Sequence, residues 1–138
     1  MNSNRPILFL MMIGILLSIP AKADIYDDIA LAVKNGNYKE VARYFNVRVE
    51  LKIGETENIY SKSQAEIILR DFFTKNPAIN FTIKHKGSSA KDLSYIIGDY
   101  QASTGNFRTY FLFKQEGTTL FIRNFISTEN NLFPSFES

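Results

Sequence analysis

The hydrophobic pattern changes character twice along this chain. Ile7 to Ile19 form an apolar run, preceded by one cation at Arg5 and followed by Ala21-Lys22-Ala23. A charged start, an apolar middle and an A-x-A end mark a secretory signal peptide cleaved before Asp24. The run falls short of the roughly 20 residues a spanning helix needs. From Ile25 the apolar positions follow a helical period. Ile25, Ile29, Ala32 and Val33 share one face, and Asp24, Asp27 and Asp28 place negative charge where the helix dipole favours it. Asn35-Gly36 ends this helix. Asn37, with Glu40 in capping-box position, opens a second one whose stripe is Tyr38, Val41, Ala42 and Phe45.

Val47, Val49, Leu51 and Ile53 then alternate with Arg48, Glu50 and Lys52, which predicts a strand with one face buried. Gly54 breaks it, and Asn58-Ile59-Tyr60 returns as a short partner. Ser61 and Ser63 each start a capping box, with Gln64 and Glu66, for a third helix. Its core face is Ala65, Ile68, Leu69 and Phe72, with Phe73 alongside, and Asn76-Pro77 stops it. Beyond Ile79 the period becomes two. Strands are expected near 79–87, 93–103, 107–115 and 118–127, joined by turns short enough to make antiparallel neighbours. The tail, 129–138, has no period, although Leu132, Phe133 and Phe136 give it apolar groups that could dock.

This order predicts an α+β fold, with three helices packed on the concave face of a strongly curved, mostly antiparallel sheet. Residues 24–128 form one domain after the signal peptide of 1–23. Several stretches carry a resemblance: Ile25–Phe45, Ser61-Lys-Ser-Gln-Ala through Asp71-Phe-Phe, Phe81-Thr-Ile-Lys-His-Lys-Gly-Ser, Tyr95-Ile-Ile-Gly-Asp-Tyr and Gly105-Asn-Phe-Arg-Thr-Tyr. With the signal peptide, they make the chain similar to the exported bacterial family catalogued as domain of unknown function 4783. That family sits in the cone-shaped nuclear transport factor two-like superfamily. The resemblance implies a fold and a compartment but no activity, because the superfamily hosts enzymes, ligand carriers and interaction modules on one scaffold.

Composition narrows the function classes. The net charge of +2 comes from Arg5 and Lys22, both in the signal peptide, so the remainder carries equal numbers of acidic and basic side chains. A neutral domain lacks the basic stripe that nucleic acid or an anionic membrane surface requires. Cys is absent, so neither disulfides nor a lipid-bearing Cys is expected, and Phe and Tyr must supply much of the packing. With one His, no Cys and scattered carboxylates, no metal site and no cofactor are expected.

His85, the sole histidine, shares strand parity with Ile79, Phe81 and Ile83. Asp99 shares parity with Tyr95 and Ile97. If both faces are concave, an imidazole and a carboxylate meet at the mouth of an apolar cone, the usual make-up of a small-molecule site. Each residue also has a plainer reading, His85 bonded to backbone at a sheet edge and Asp99 bonded to a turn or to Arg108. Arg108 and Tyr110 share a third strand face with Leu112, suited to an anionic ligand, an interface or an ordinary ion pair. The strands of Phe107–Phe113 and Leu120–Ile126 are apolar on both faces. Helices cover only one, so a second subunit is expected on the other.

The expected protein is therefore an exported, periplasmic or secreted, non-enzymatic binding or interaction domain. His85, Asp99, Tyr95, Arg108 and Tyr110 are its candidate ligand contacts, and it dimerises through the sheet. The alternative is a small enzyme using His85 and Asp99 as an acid–base pair.

Overall fold

The computed structural model describes residues 24–130; the signal peptide expected over 1–23 and the tail beyond 130 lie outside them. Asp24 caps α1 (Ile25–Lys34), its carboxylate accepting the Tyr26 N–H at 2.9 Å. Ile29, Ala32 and Val33 are its buried face. Asn37 caps the short α2 (Tyr38–Ala42) by accepting the Glu40 N–H at 3.2 Å. Ser61, rather than Ser63, caps α3 (Lys62–Lys75). Its hydroxyl accepts the Gln64 N–H at 3.3 Å, and the Gln64 side chain accepts the Ser61 N–H at 3.4 Å. Both halves of the capping box are thus made.

The strands are β1 (Phe45–Ile53), β2 (Thr56–Ser61), β3 (Ala78–Ala90), β4 (Leu93–Ala102), β5 (Gly105–Glu116) and β6 (Thr119–Glu129). They form one six-stranded sheet in the order β2-β1-β6-β5-β4-β3. Every pairing is antiparallel except β1 with β6, which run parallel and join the hairpin to the meander. Three helices and this open sheet make an α+β fold, as the change of period predicts.

All three helices bury against one face. Phe81, Ile96, Tyr100, Phe107, Phe111, Phe113, Ile122, Phe125, Val49 and Leu51 project to that side and form the core with the helices. Phe72 of α3 lies 5.5 Å from Tyr100, 5.3 Å from Phe107 and 6.2 Å from Phe125, ring centre to ring centre. Tyr26 of α1 meets Phe113 edge-on at 5.1 Å. A chain without disulfides draws its cohesion from such contacts, each worth about 0.5–1.5 kcal/mol beyond the area it buries. Gly98 of β4 is part of this fit: the Phe81 ring lies where a Cβ would stand, with the Thr82 carbonyl 2.9 Å from the same point. Lys86 of β3 anchors the start of α1, with its ammonium 3.0 Å from Asp24 and 3.5 Å from Asp27. Its hydrogen bond is the main cause holding the Asp24 carboxyl below the usual carboxylate value.

Simple alternation fails where the ladders slip. Val47, expected in the buried row of β1, is 78 % exposed because the β1–β6 register shifts between Phe45 and Glu50. Phe45 opens β1 instead of closing the α2 stripe, and it fills the core. Ile79 is 65 % exposed beside a second shift, between Ala78 and Asn80. A third shift lies between Ile83 and His85, so Ile83 opposes Gly98 whereas His85 opposes Ile97. One extra residue, Lys84, thereby moves His85 off the row of Phe81 and Ile83 and onto the opposite face.

Candidate functional site

That bulge decides where the sequence-predicted residues stand. His85, Tyr95, Asp99, Arg108 and Tyr110 all project from the sheet face opposite the helices. The expected parity of His85 with Phe81 and Ile83 is therefore corrected: His85 shares the face of Tyr95, Ile97 and Asp99 instead. Tyr95, Ile97 and Asp99 have the parity opposite to the core residues Ile96, Tyr100 and Ala102, and His85 joins them through the Lys84 bulge. His85 is exposed, and no hydrogen bond joins it to Asp99. Asp99 lies directly opposite Arg108 without an ion pair between them, and its Oδ1 is buried with no donor. Tyr95 and Tyr110 stack at 6.1 Å. Burial first, and then the neighbouring Tyr95, raise the Tyr110 phenol above its ordinary value.

A concave surface lies elsewhere on the molecule. A groove of about 700 Å³ opens between α3, the β1–β2 hairpin and the ends of β5 and β6. Leu51, Ile53, Tyr60, Ile68, Phe72 and Phe107 form its apolar walls. Polar groups rim it: Lys52, Glu55, Asp71, Lys75, Asn76, Thr128 and Glu129. Its volume and its mixture of greasy wall and sparse polar rim fall in the range of small-molecule sites.

Local chemistry explains why this groove holds its shape. The hairpin turns at Gly54, which takes φ 59, a conformation that costs glycine little. Its N–H donates to the Ser127 carbonyl at 3.1 Å, which ties the turn to β6. At the other end, Asn76 stops α3 with every polar group engaged. Its N–H and side-chain amide donate to the Phe72 carbonyl at 2.9 and 3.1 Å, and its side-chain oxygen accepts from Thr104 at 2.6 Å. Its carbonyl accepts the Tyr100 hydroxyl at 2.5 Å. Asp71 is spoken for by Arg70 at 3.3 Å and Lys52 by Glu57 at 4.0 Å. Lys75 makes no ion pair among the described residues and is the free cation of the rim.

The groove's lining includes no His, no Cys and no Ser, so its geometry offers contact and orientation. Among the described residues no cluster of His, Cys, Asp and Glu could hold a metal ion. None of the five sequence-predicted residues lines the groove. Tyr60, Ile68, Phe72 and Phe107 were legible only as strand and core positions. Their meeting at one groove follows from the parallel β1–β6 pairing, which a hairpin followed by a meander does not announce.

Strand order and helix placement define the class as an α+β domain with nuclear transport factor two-like neighbours. One of these, named "Rd1NTF2_04 with long sheet", shares 17% identity over 74% of this chain and 94% of its own, with a TM-score of 0.57. The chain belongs to the family described as "Domain of unknown function (DUF4783)", which matches residues 26–126. A crystal structure of a DUF4783 family protein from Bacteroides fragilis YCH46 is 30% identical, covering 77% of this chain and 99% of that one with a TM-score of 0.71. Another, from Bacteroides uniformis ATCC 8492, is 24% identical, covering 77% and 97% with a TM-score of 0.73. No curated protein matches the chain.

Proposed function

We propose that this chain is an exported small-ligand-binding domain, that the groove beside α3 is its site, and that it works by binding rather than by catalysis. The observation that carries this reading is the groove itself: a preformed apolar trough whose two ends are fixed by Gly54 and Asn76. In this reading the helix-bearing face is the concave interior of the cone and the groove is its mouth. The ligand class that suits such a lining has an apolar body, held by Ile68, Phe72 and Phe107, and an anionic or acceptor group directed at Lys75. Export is supported by the charged, apolar and A-x-A order of residues 1–23.

The test uses 1-anilinonaphthalene-8-sulfonate, an apolar anion of suitable shape. Ile68 is half-buried at the wall, so Ile68→Trp fills the trough from a position with room outward. The expected result is at least a tenfold loss of probe affinity with a melting temperature within a few degrees of wild type. Tyr110→Glu, on the opposite face, should leave probe binding intact. Binding that survives Ile68→Trp and disappears with Tyr110→Glu would refute the groove as the site.

A further inference from the structure

Residues 131–138 follow directly from the strand that ends at the groove. β6 runs out at Glu129, and Thr128 and Glu129 both belong to the groove's lining. The sheet offers the chain little beyond that point. β1 stops at Ile53, opposite Ser127, and β5 begins at Gly105, just ahead of the Phe107 that opposes Glu129. Pro134 has no N–H to donate and disfavours the helical region for Phe133, so the segment suits neither a longer ladder nor a helix. Yet its composition is not that of a solvated tail. Leu132, Phe133 and Phe136 stand in a stretch whose only charged side chain is Glu137.

We infer that this segment is the groove's resident occupant: Leu132, Phe133 and Phe136 lie against the walls of Ile53, Tyr60 and Ile68, and a ligand enters by displacing them. Reach keeps the tail at the groove. Leu132 comes three residues after Glu129, so its Cα stays within about 11 Å of a residue that lines the trough. Phe136 reaches at most about 25 Å from Glu129, while the wall from Ile68 to Lys75 rises only about 10 Å along α3. The tail therefore spans the trough with slack. The walls also want a cover, since Ile53, Tyr60 and Ile68 are only half-buried and open onto the trough. In a polyproline-type extension, at three residues per turn, Phe133 and Phe136 share one side, which a single trough can take. Charge agrees with this occupant: Glu137 is the tail's acid, and Lys75 is the cation of the rim without an ion pair among the described residues.

The inference rests on the groove being the ligand site proposed above, and it adds how that site is regulated. A segment on so short a tether meets the groove at an effective concentration of about 1 mM. A contact that dissociates at about 0.1 mM as a free peptide then keeps the groove closed about nine-tenths of the time. Apparent ligand affinity falls with the open fraction, here about tenfold. Ligands that match the trough poorly are held off, and the apolar walls stay out of water between ligands.

Two measurements test it. In titrations with 1-anilinonaphthalene-8-sulfonate, the double variant Phe133→Ser, Phe136→Ser should bind the probe about five- to tenfold more tightly than wild type. A peptide of residues 131–138 at about 1 mM, the tethered concentration, should return the variant to the wild-type value. Equal affinities in wild type and variant would refute the tail as occupant and leave the groove standing as a ligand site. Failure of the probe to bind either would refute the ligand site, and the competition with it. Seating of the tail is read directly in Phe133→Trp, because the chain has no other tryptophan. Its emission should be blue-shifted and shielded from acrylamide. Adding Ile68→Arg, which puts a charge on the wall from a half-buried position, should expose it to solvent. Circular dichroism checks that this chain is folded, and Tyr60→Arg on the facing hairpin wall replaces Ile68→Arg should it unfold. A tryptophan exposed in the single variant, or one that stays shielded once the wall is charged, overturns the inference.

Discussion

Tyr100 offers a prediction whose size and sign both follow from the structure. It is 1 % exposed, its ring packs against Phe72, Phe73 and Phe107, and its hydroxyl donates to the Asn76 carbonyl at 2.5 Å. Tyr100→Phe keeps the ring contacts and removes only that bond. The loss should be about 2 kcal/mol, combining a hydrogen bond of about 1 kcal/mol with the desolvation cost of a carbonyl left without its donor. The pH dependence adds a second, independent figure. Burial pushes the Tyr100 phenol from 10.0 up to about 12. A group with its folded value above its unfolded one contributes fully below pH 10 and loses that contribution as pH climbs toward 12, because the unfolded chain ionises first. The loss runs at about 1.4 kcal/mol per pH unit. Urea unfolding of both proteins at pH 8 and pH 11 isolates the term, since every other titrating group is common to the two. The stability gap between wild type and Tyr100→Phe should narrow by about 1 kcal/mol at the higher pH. A gap that is absent at pH 8, or that widens at pH 11, refutes the reasoning.

Two further outcomes are expected. Gly98→Ala drives a methyl into the Phe81 ring and to 2.9 Å from the Thr82 carbonyl, and should cost about 1–3 kcal/mol in thermal unfolding; an unchanged melting temperature would show that the Phe81 ring has room to move. Mass spectrometry of the native protein should find Asp24 as the first residue; an intact Met1 terminus recovered from the cytoplasm would remove the export reading.

Much of the fold was legible because local chemistry and packing agree. The 3.6-residue stripe of Ile29, Ala32 and Val33 sits under its own cap at Asp24, and the box of Ser61 and Gln64 marks the start of α3. Short turns between two-residue patterns gave β3 to β6 in antiparallel order. The parallel pairing of β1 with β6 was hidden, because it joins segments distant in sequence through no local signal. The candidate site was far less legible, for two physical reasons. Side-chain parity along a strand holds only between bulges, and the extra residue at Lys84 reverses it for His85. The groove depends on surface left between elements, and Ile68 and Phe107 look like any other core position until α3 and the hairpin are set in space.

The same alternation that hides the groove also explains how one sheet can serve two ends. Neighbours in sequence face opposite ways, so Phe107 lines the groove while Arg108 stands on the open face. Tyr100 pins Asn76 at the groove's end while Asp99 keeps an unpaired oxygen behind it. The two surfaces share no side chain at these positions and can be altered separately, yet both hang on the β4–β5 ladder between Asp99 and Arg108.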